Sequence, residues 1–161
     1  LDLSNNLINS IEKDAFFCLT NLVDLILDRN LKILGDFDLV FLKKLSFFSV
    51  SNSNFSRLNN FETQINLQRL ILNHNNLESL QDEKFQNLAE IMVIDLSYNN
   101  IINITIKTNQ GLFNNPFKLQ YLNFSHNLLD SNNLQLINIG LVVNLIELNI
   151  SHNNIEKICE K

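Results

Sequence analysis

The chain has 161 residues, a formal net charge of −5 and 45% hydrophobic residues, enough apolar material for one ordinary core. That composition excludes a disordered tail, and the acidic balance argues against nucleic acid or anionic membrane surfaces as primary partners. No apolar run approaches the 18 or more residues that a membrane helix needs, so no membrane contact is expected within this segment.

Asparagine is the unusual residue: 29 of them, against three Gly and one Pro. Much of the Asn falls on a grid. The opening copy keeps Leu1, Leu3, Asn6, Ile8 and Ile11. The second has Leu22, Leu25, Leu27 and Asn30, after which Lys32 and Gly35 fall on apolar positions, so "LKIL" must shift register. The third has Leu45, Phe48, Val50, Phe55 and Leu58, with Ser53 in place of the Asn. The fourth is complete: Leu67, Leu70, Leu72, Asn75, Leu77, Leu80. Ile91, Ile94, Leu96, Asn99, Ile101 and Ile104 repeat it, then Leu119, Leu122, Phe124, Asn127 and Leu129, then Leu145, Leu148, Ile150, Asn153, Ile155 and Ile158. Copies begin at residues 22, 45, 67, 91, 119 and 145, at spacings of 23, 22, 24, 28 and 26 residues. Six residues before each start, an apolar side chain recurs: Phe16, Leu39, Phe61, Phe85, Phe113 and Ile139.

Within each copy the x-x-L-x-L part alternates as a short strand with one buried face should. A single copy buries too few side chains to offset the ordering of its own backbone, so neighbours must cover both of its faces. The Asn after each strand sits where the chain turns away. Pointing inward, its amide finds partners on adjacent turns, so Asn6, Asn30, Asn75, Asn99, Asn127 and Asn153 form an expected structural ladder. Ser53 does only part of this, which predicts a loose turn there. The segment "IINITIKT" at 101–108 alternates as a further extended piece.

The pattern L-x-x-L-x-L-x-x-N-x-L-x-x-L resembles the leucine-rich repeat family over essentially the whole chain. The spacing near 24, with a Phe ahead of the next strand, resembles the typical extracellular animal subclass, which includes Toll-like receptor ectodomains and adhesion proteins. The resemblance implies an α/β-type leucine-rich repeat solenoid, a right-handed horseshoe with short parallel strands on its concave face. Its convex side is expected to be mostly irregular, with short 3-10 turns. Residues 1–161 would form one array of about seven repeats, the first and last incomplete, cut from a longer solenoid without its caps.

All three histidines share one column: His74, His126 and His152, with Asn5, Arg29, Asn52 and Tyr98 at the same offset. No carboxylate or Cys completes a metal set there, so the column reads as exposed polar residues, with a pH-sensitive contact as the sharper alternative. Ser125 beside His126 lacks a third group to orient a base, so no enzymatic activity and no cofactor is expected. In "LNFSHNLL", Asn123, Ser125 and His126 are expected to look outward. Four glycosylation sequons occur, at Asn54, Asn103, Asn123 and Asn149. Asn54 and Asn103, expected in loops just past strands, are the favoured acceptors. Cys18 and Cys159 stand about six coils, or roughly 29 Å, apart at ~4.8 Å per coil, too far to pair. Cys18 reads as a small buried hydrophobe, Cys159 as the start of a missing cap.

Outward columns flank the central strand leucine. They hold Phe47, Arg69, Ile71, Met92, Val93 and Tyr121, residue types enriched in interface cores, and Asp95, Tyr98 and His126 extend the candidate face. The expected function is ligand recognition by an extracellular receptor of innate-immune or adhesion type, binding a protein or other macromolecule on the concave face. Self-association as a homodimer is compatible with such a face. The alternative is an intracellular scaffold in the cytoplasm, favoured by the unpaired cysteines.

Overall fold

The computed structural model describes residues 1–30, 37–107, 111–113, 116 and 118–158. The shifted "LKIL" and Cys159 lie outside the described residues. Eight three-residue strands follow in chain order: β1 Asp24–Ile26, β2 Phe47–Ser49, β3 Arg69–Ile71, β4 Ser79–Gln81, β5 Val93–Asp95, β6 Asn103–Thr105, β7 Tyr121–Asn123 and β8 Glu147–Asn149. One strand from each coil joins a parallel sheet in the order β1-β2-β3-β5-β7-β8, and β4 pairs with β6 in a second, two-stranded parallel sheet. Asp2 adds a parallel bridge to Ile26 at the first edge. The result is a parallel-strand solenoid, as the periodicity predicts.

Each strand but the last buries its middle residue, and Leu148 of β8 is half-buried. Leu25, Phe48 and Leu70 are 0% exposed, and Ile94 and Leu122 1%. A parallel ladder requires neighbours in register, and these central residues all pair with one another. Behind the sheet runs the predicted apolar column, with Phe16, Leu39, Phe61, Phe85 and Phe113 buried and Ile139 packed against them. Edge-to-face aromatic contacts link it, Phe48–Phe61 at 6.1 Å and Phe85–Phe113 at 5.3 Å between centroids. Phe37, which lies off the repeat grid, joins this core at 1% exposure and meets Phe16 at 5.8 Å.

The inward asparagines hold the coils together. Asn99 Nδ2 donates to Leu96 O of its own coil and to Leu72 O of the coil before, both at 3.0 Å, while its Oδ1 accepts from Leu77 N–H at 3.0 Å. Asn127 repeats this with Phe124 O, Leu96 O and Ile101 N–H. Asn153 does so with Ile150 O, Phe124 O and Leu129 N–H. Asn75 and Asn30 follow the same rule, whereas the exposed Asn6 reaches only Leu3 and Ser4 carbonyls of its own coil. Ser53 is fully buried; its Oγ donates to Leu27 O at 3.1 Å and accepts from Asn30 N–H at 3.2 Å. The hydroxyl thus keeps the cross-coil bond, where a loose turn was expected.

Two further expectations are corrected. Cys18 is exposed, because only Phe16 of its turn points inward; Phe17 lies on the surface against Phe41, 5.0 Å between rings. The side opposite the sheet carries 3-10 turns at Asp82–Lys84 and Ile139–Leu141, but also one true helix, α1 Ser131–Ile137. Its start is a reciprocal capping pair: Asp130 Oδ1 accepts from Asn133 N–H at 2.8 Å and Asn133 Oδ1 from Asp130 N–H at 2.9 Å. Its end closes on Gly111 (φ +79), where an added Cβ would lie 2.6 Å from Asn138 Cβ.

Removing an inner rung strands several buried polar groups at about 1–3 kcal/mol each, so Asn99→Ala should destabilise by about 3–4 kcal/mol. Asn6→Ala should cost under about 1 kcal/mol, since its groups stay solvated. Urea unfolding midpoints measure both; equal losses would contradict the cross-coil role of Asn99.

Candidate functional site

Because register is fixed, outward residues of successive strands stand side by side. One row runs Asp24, Phe47, Arg69, Val93, Tyr121, Glu147. Phe47 and Val93 are half-buried, while Arg69 and Tyr121 are exposed, Tyr121 by 41%. The Arg69 guanidinium lies over the Phe47 ring, 4.8 Å from its centroid, so the cation is held against an aromatic face. Across the buried centre a second row runs Ile26, Ser49, Ile71, Asp95, Asn123, Asn149. Met92, half-buried, precedes β5, and its carbonyl accepts from Gln120 and Tyr121 N–H at 2.9 and 3.0 Å.

Asp95 is not a free carboxylate. Its Oδ1 accepts from Ser97 Oγ at 2.7 Å and Ser97 N–H at 3.0 Å, and its Oδ2 from Asn73 Nδ2 at 3.2 Å. Asn123 and Asn149 likewise accept the N–H of Ser125 and Ser151 at 3.0 and 3.1 Å. These are side chains that bond the backbone two residues on and fix the exit from each strand. Ser125 is only 4% exposed, so the expectation that it looks outward is corrected; the same holds for Ser97 and Ser51 at its offset.

The next column lies on the turn that follows each strand. Asn5, Arg29, Asn52, His74, Tyr98, His126 and His152 all have φ between 52° and 56°. This left-handed residue swings the chain so that the following Asn points inward, and Asn and His tolerate it better than most. Backbone bonds from His74, Tyr98 and His126 N–H to Ser97, Ser125 and Ser151 O, at 3.0, 2.9 and 2.9 Å, hold the column together. The rings then stack nearly face to face: His74–Tyr98 at 4.1 Å, Tyr98–His126 at 4.0 Å and His126–His152 at 4.0 Å, with planes within 13°. Sequence reasoning grouped these residues but missed the stack. The signal was there, in rings at one offset on successive coils.

Parallel imidazoles at 4.0 Å aim their lone pairs along parallel lines rather than at one ion. Among the described residues no group of three or more His, Cys, Asp or Glu side chains gathers as a metal site. The stack does affect protonation. Loss of water around the ring, then repulsion from His152 and His74, holds His126 below its ordinary value of 6.5. Of the favoured sequons, Asn54 is half-buried and its Oδ1 accepts from Asn76 Nδ2. Asn103 is exposed, but as the first residue of β6 rather than in a loop.

Strand, left-handed turn and inward Asn, repeated from coil to coil, are those of a leucine-rich repeat protein, and the chain is one. The leucine rich repeat family matches residues 65–112. Human (Homo sapiens) lumican is 31% identical over 98% of this chain and 59% of its own length. Osteomodulin of Rattus norvegicus is 27% identical over 99% of this chain and 37% of its own. The chain therefore spans between a third and three fifths of these relatives. The solved structure of a TLR13–ssRNA13 complex superposes with a TM-score of 0.63 at 24% identity, over 91% of this chain and 24% of that one. An internalin from Listeria monocytogenes gives 0.55 at 21%, over 91% and 46%. At these identities the two structures share the fold.

The unfolded chain protonates His126 more readily than the folded one. The stabilisation linked to its neutral form is therefore complete above pH 6.5 and lost as the pH falls below that value. Imidazole resonances followed from neutral to mildly acidic pH should give His126 a midpoint below 6.5, and His152→Asn should raise it. A midpoint at or above 6.5 would contradict the stacked arrangement.

Proposed function

We propose that this chain is the macromolecule-binding segment of an extracellular receptor or adhesion-type ectodomain, and that the outward face of the six-stranded sheet is its contact surface. The observation that carries this reading is the continuous row Phe47, Arg69, Val93 and Tyr121 on paired strands, with the Arg69 cation seated on the Phe47 ring. These side chains have no core role, and Tyr and Arg with their apolar neighbours are the residues that anchor protein interfaces. Ile71 and Met92 widen the apolar part. Tyr98 and His126 border it with flat, polar ring edges. Asp95 acts in this face by holding its turn rather than by offering a charge. The partner is a protein or another macromolecule, since the face is open and broad rather than a closed pocket.

Asn103, exposed in the separate two-stranded sheet and outside this row, is the better glycan acceptor; Asn54 already bonds Asn76. Sugar there would leave the sheet face clear.

One observation favours a second reading, an intracellular interaction scaffold: Cys18 is a free, exposed thiol. Such thiols persist more readily in a reducing compartment.

The protein secreted from animal cells and immobilised should capture a component of extracellular fluid. Tyr121→Ala and Arg69→Ala should each weaken that capture by about 2 kcal/mol, or roughly 30-fold in Kd. Capture that survives both substitutions would move the contact off the sheet. Glycosidase treatment should shift the mobility of the secreted wild type, and the shift should vanish or shrink in Asn103→Gln; no shift in either would favour the intracellular scaffold.

A further inference from the structure

Away from the sheet, the flank of the solenoid is less tightly bonded between the coils of Ser56 and Ser79 than between those of Ser79 and Asn103. Asn76 N–H donates to Phe55 O at 2.9 Å, and among the described residues the backbone bonding between these coils along this flank stops there. One coil later the same bond, Asn100 N–H to Leu77 O at 2.9 Å, continues through Ile102 and Asn103 N–H to Glu78 O, and β4 pairs with β6. The turn that leads into the earlier coil has two left-handed residues, Asn52 and Asn54, at φ 52° and 51°. Other described turns carry one such residue there. The edge of β4 that does not meet β6 is therefore left facing a cavity of about 370 Å³.

Ser56, Arg57 and Leu58 line that cavity from one side, with Ser79, Gln81 and Lys84 from the other. Arg57 and Lys84 supply its charge. Ion pairs among the described residues join Lys13 to Asp38, Lys107 to Glu83 and Lys118 to Glu90. Glu83, the carboxylate next to Lys84, is thus already engaged by Lys107 at 2.9 Å. Two cations, two hydroxyls and one amide face the same space without a carboxylate among them, in a chain of net charge −5. A guanidinium offers a planar pair of N–H donors that fits two oxygens of one anion, and the ammonium adds a point charge beside it.

We propose that this cleft binds an oxyanion, a sulfate or phosphate group, carried on a polar body such as a sugar. A bare inorganic anion fills only part of the space, and Leu58 gives the remainder one apolar wall on which a ring can lie. The site is separate from the sheet face and does not depend on what that face binds.

The probes are inorganic sulfate, inorganic phosphate, glucose 6-sulfate and glucose 6-phosphate, titrated at constant ionic strength while the Arg57 Nε–H and Ser79 amide resonances are followed. Saturable shifts confined to the cleft are expected, weakened at least tenfold in Arg57→Gln and in Lys84→Gln and unchanged in Lys43→Gln. Thermal melts should match wild type, so a loss of binding reports the cleft and not the fold. A sugar ester that binds tenfold tighter than its free anion assigns the ligand as a carried group; equal affinity assigns the free anion. Shifts that fail to saturate, that appear equally at Lys13 and Lys118, or that persist in both variants would overturn the proposal.

Discussion

The inward carboxamide that closes most turns is the bond on which the rest of the molecule depends. Asn99, Asn127 and Asn153 each tie their own strand to the strand before and catch an N–H of the previous coil on the way out. A buried amide with unmet groups is costly, so every coil must end at one fixed height relative to its neighbour. That height sets strand register, and register lines up the outward side chains. The row from Phe47 to Tyr121 is therefore a product of hydrogen bonds made on the opposite side of the strand. The left-handed residue just before each Asn belongs to the same device, because it turns the amide inward while leaving its own side chain outside.

Variation in coil length is absorbed on the far side. The 28-residue spacing that starts at Ile91 passes through β6 and Gly111, and the 26-residue spacing after it folds its extra chain into α1. The two fit because Gly111 has no Cβ to strike the helix end. The sheet keeps its register through both. Irregularity is thereby exported to the flank, where the cleft beside Arg57 and Lys84 is another instance.

The repeat grid makes the core legible because its apolar residues and its Asn recur at fixed offsets; Leu70, Phe85 and Asn99 are placed by it alone. Phe37 is not, since it lies beside the register shift and answers to no column. Helix α1 is not readable from the grid because its start depends on Asp130 and Asn133 capping each other, a local exchange outside the repeat pattern. Cys18 misleads because the two Phe before it suggest a buried run, whereas the turn there buries Phe16 alone. On the candidate face, column membership is readable, but the bonding of Asp95 is not. Only the geometry of its bonds to Ser97 and Asn73 shows that it is spent within its own turn.

The stack of rings has an optical consequence. The chain has no Trp and two Tyr. Tyr98 lies between two imidazoles at 4.1 and 4.0 Å, and Tyr121 stands in the sheet-face row on the next strand but one turn earlier in its coil. Emission from the unlabelled protein to the red of the weak phenylalanine band therefore arises from two phenols, one sandwiched and one open. A change in the sandwiched chromophore tracks the packing of its flanking rings, while a change in the open one tracks whatever comes to rest on the sheet. The molecule carries, without any dye, a separate lamp for each of its two aromatic surfaces.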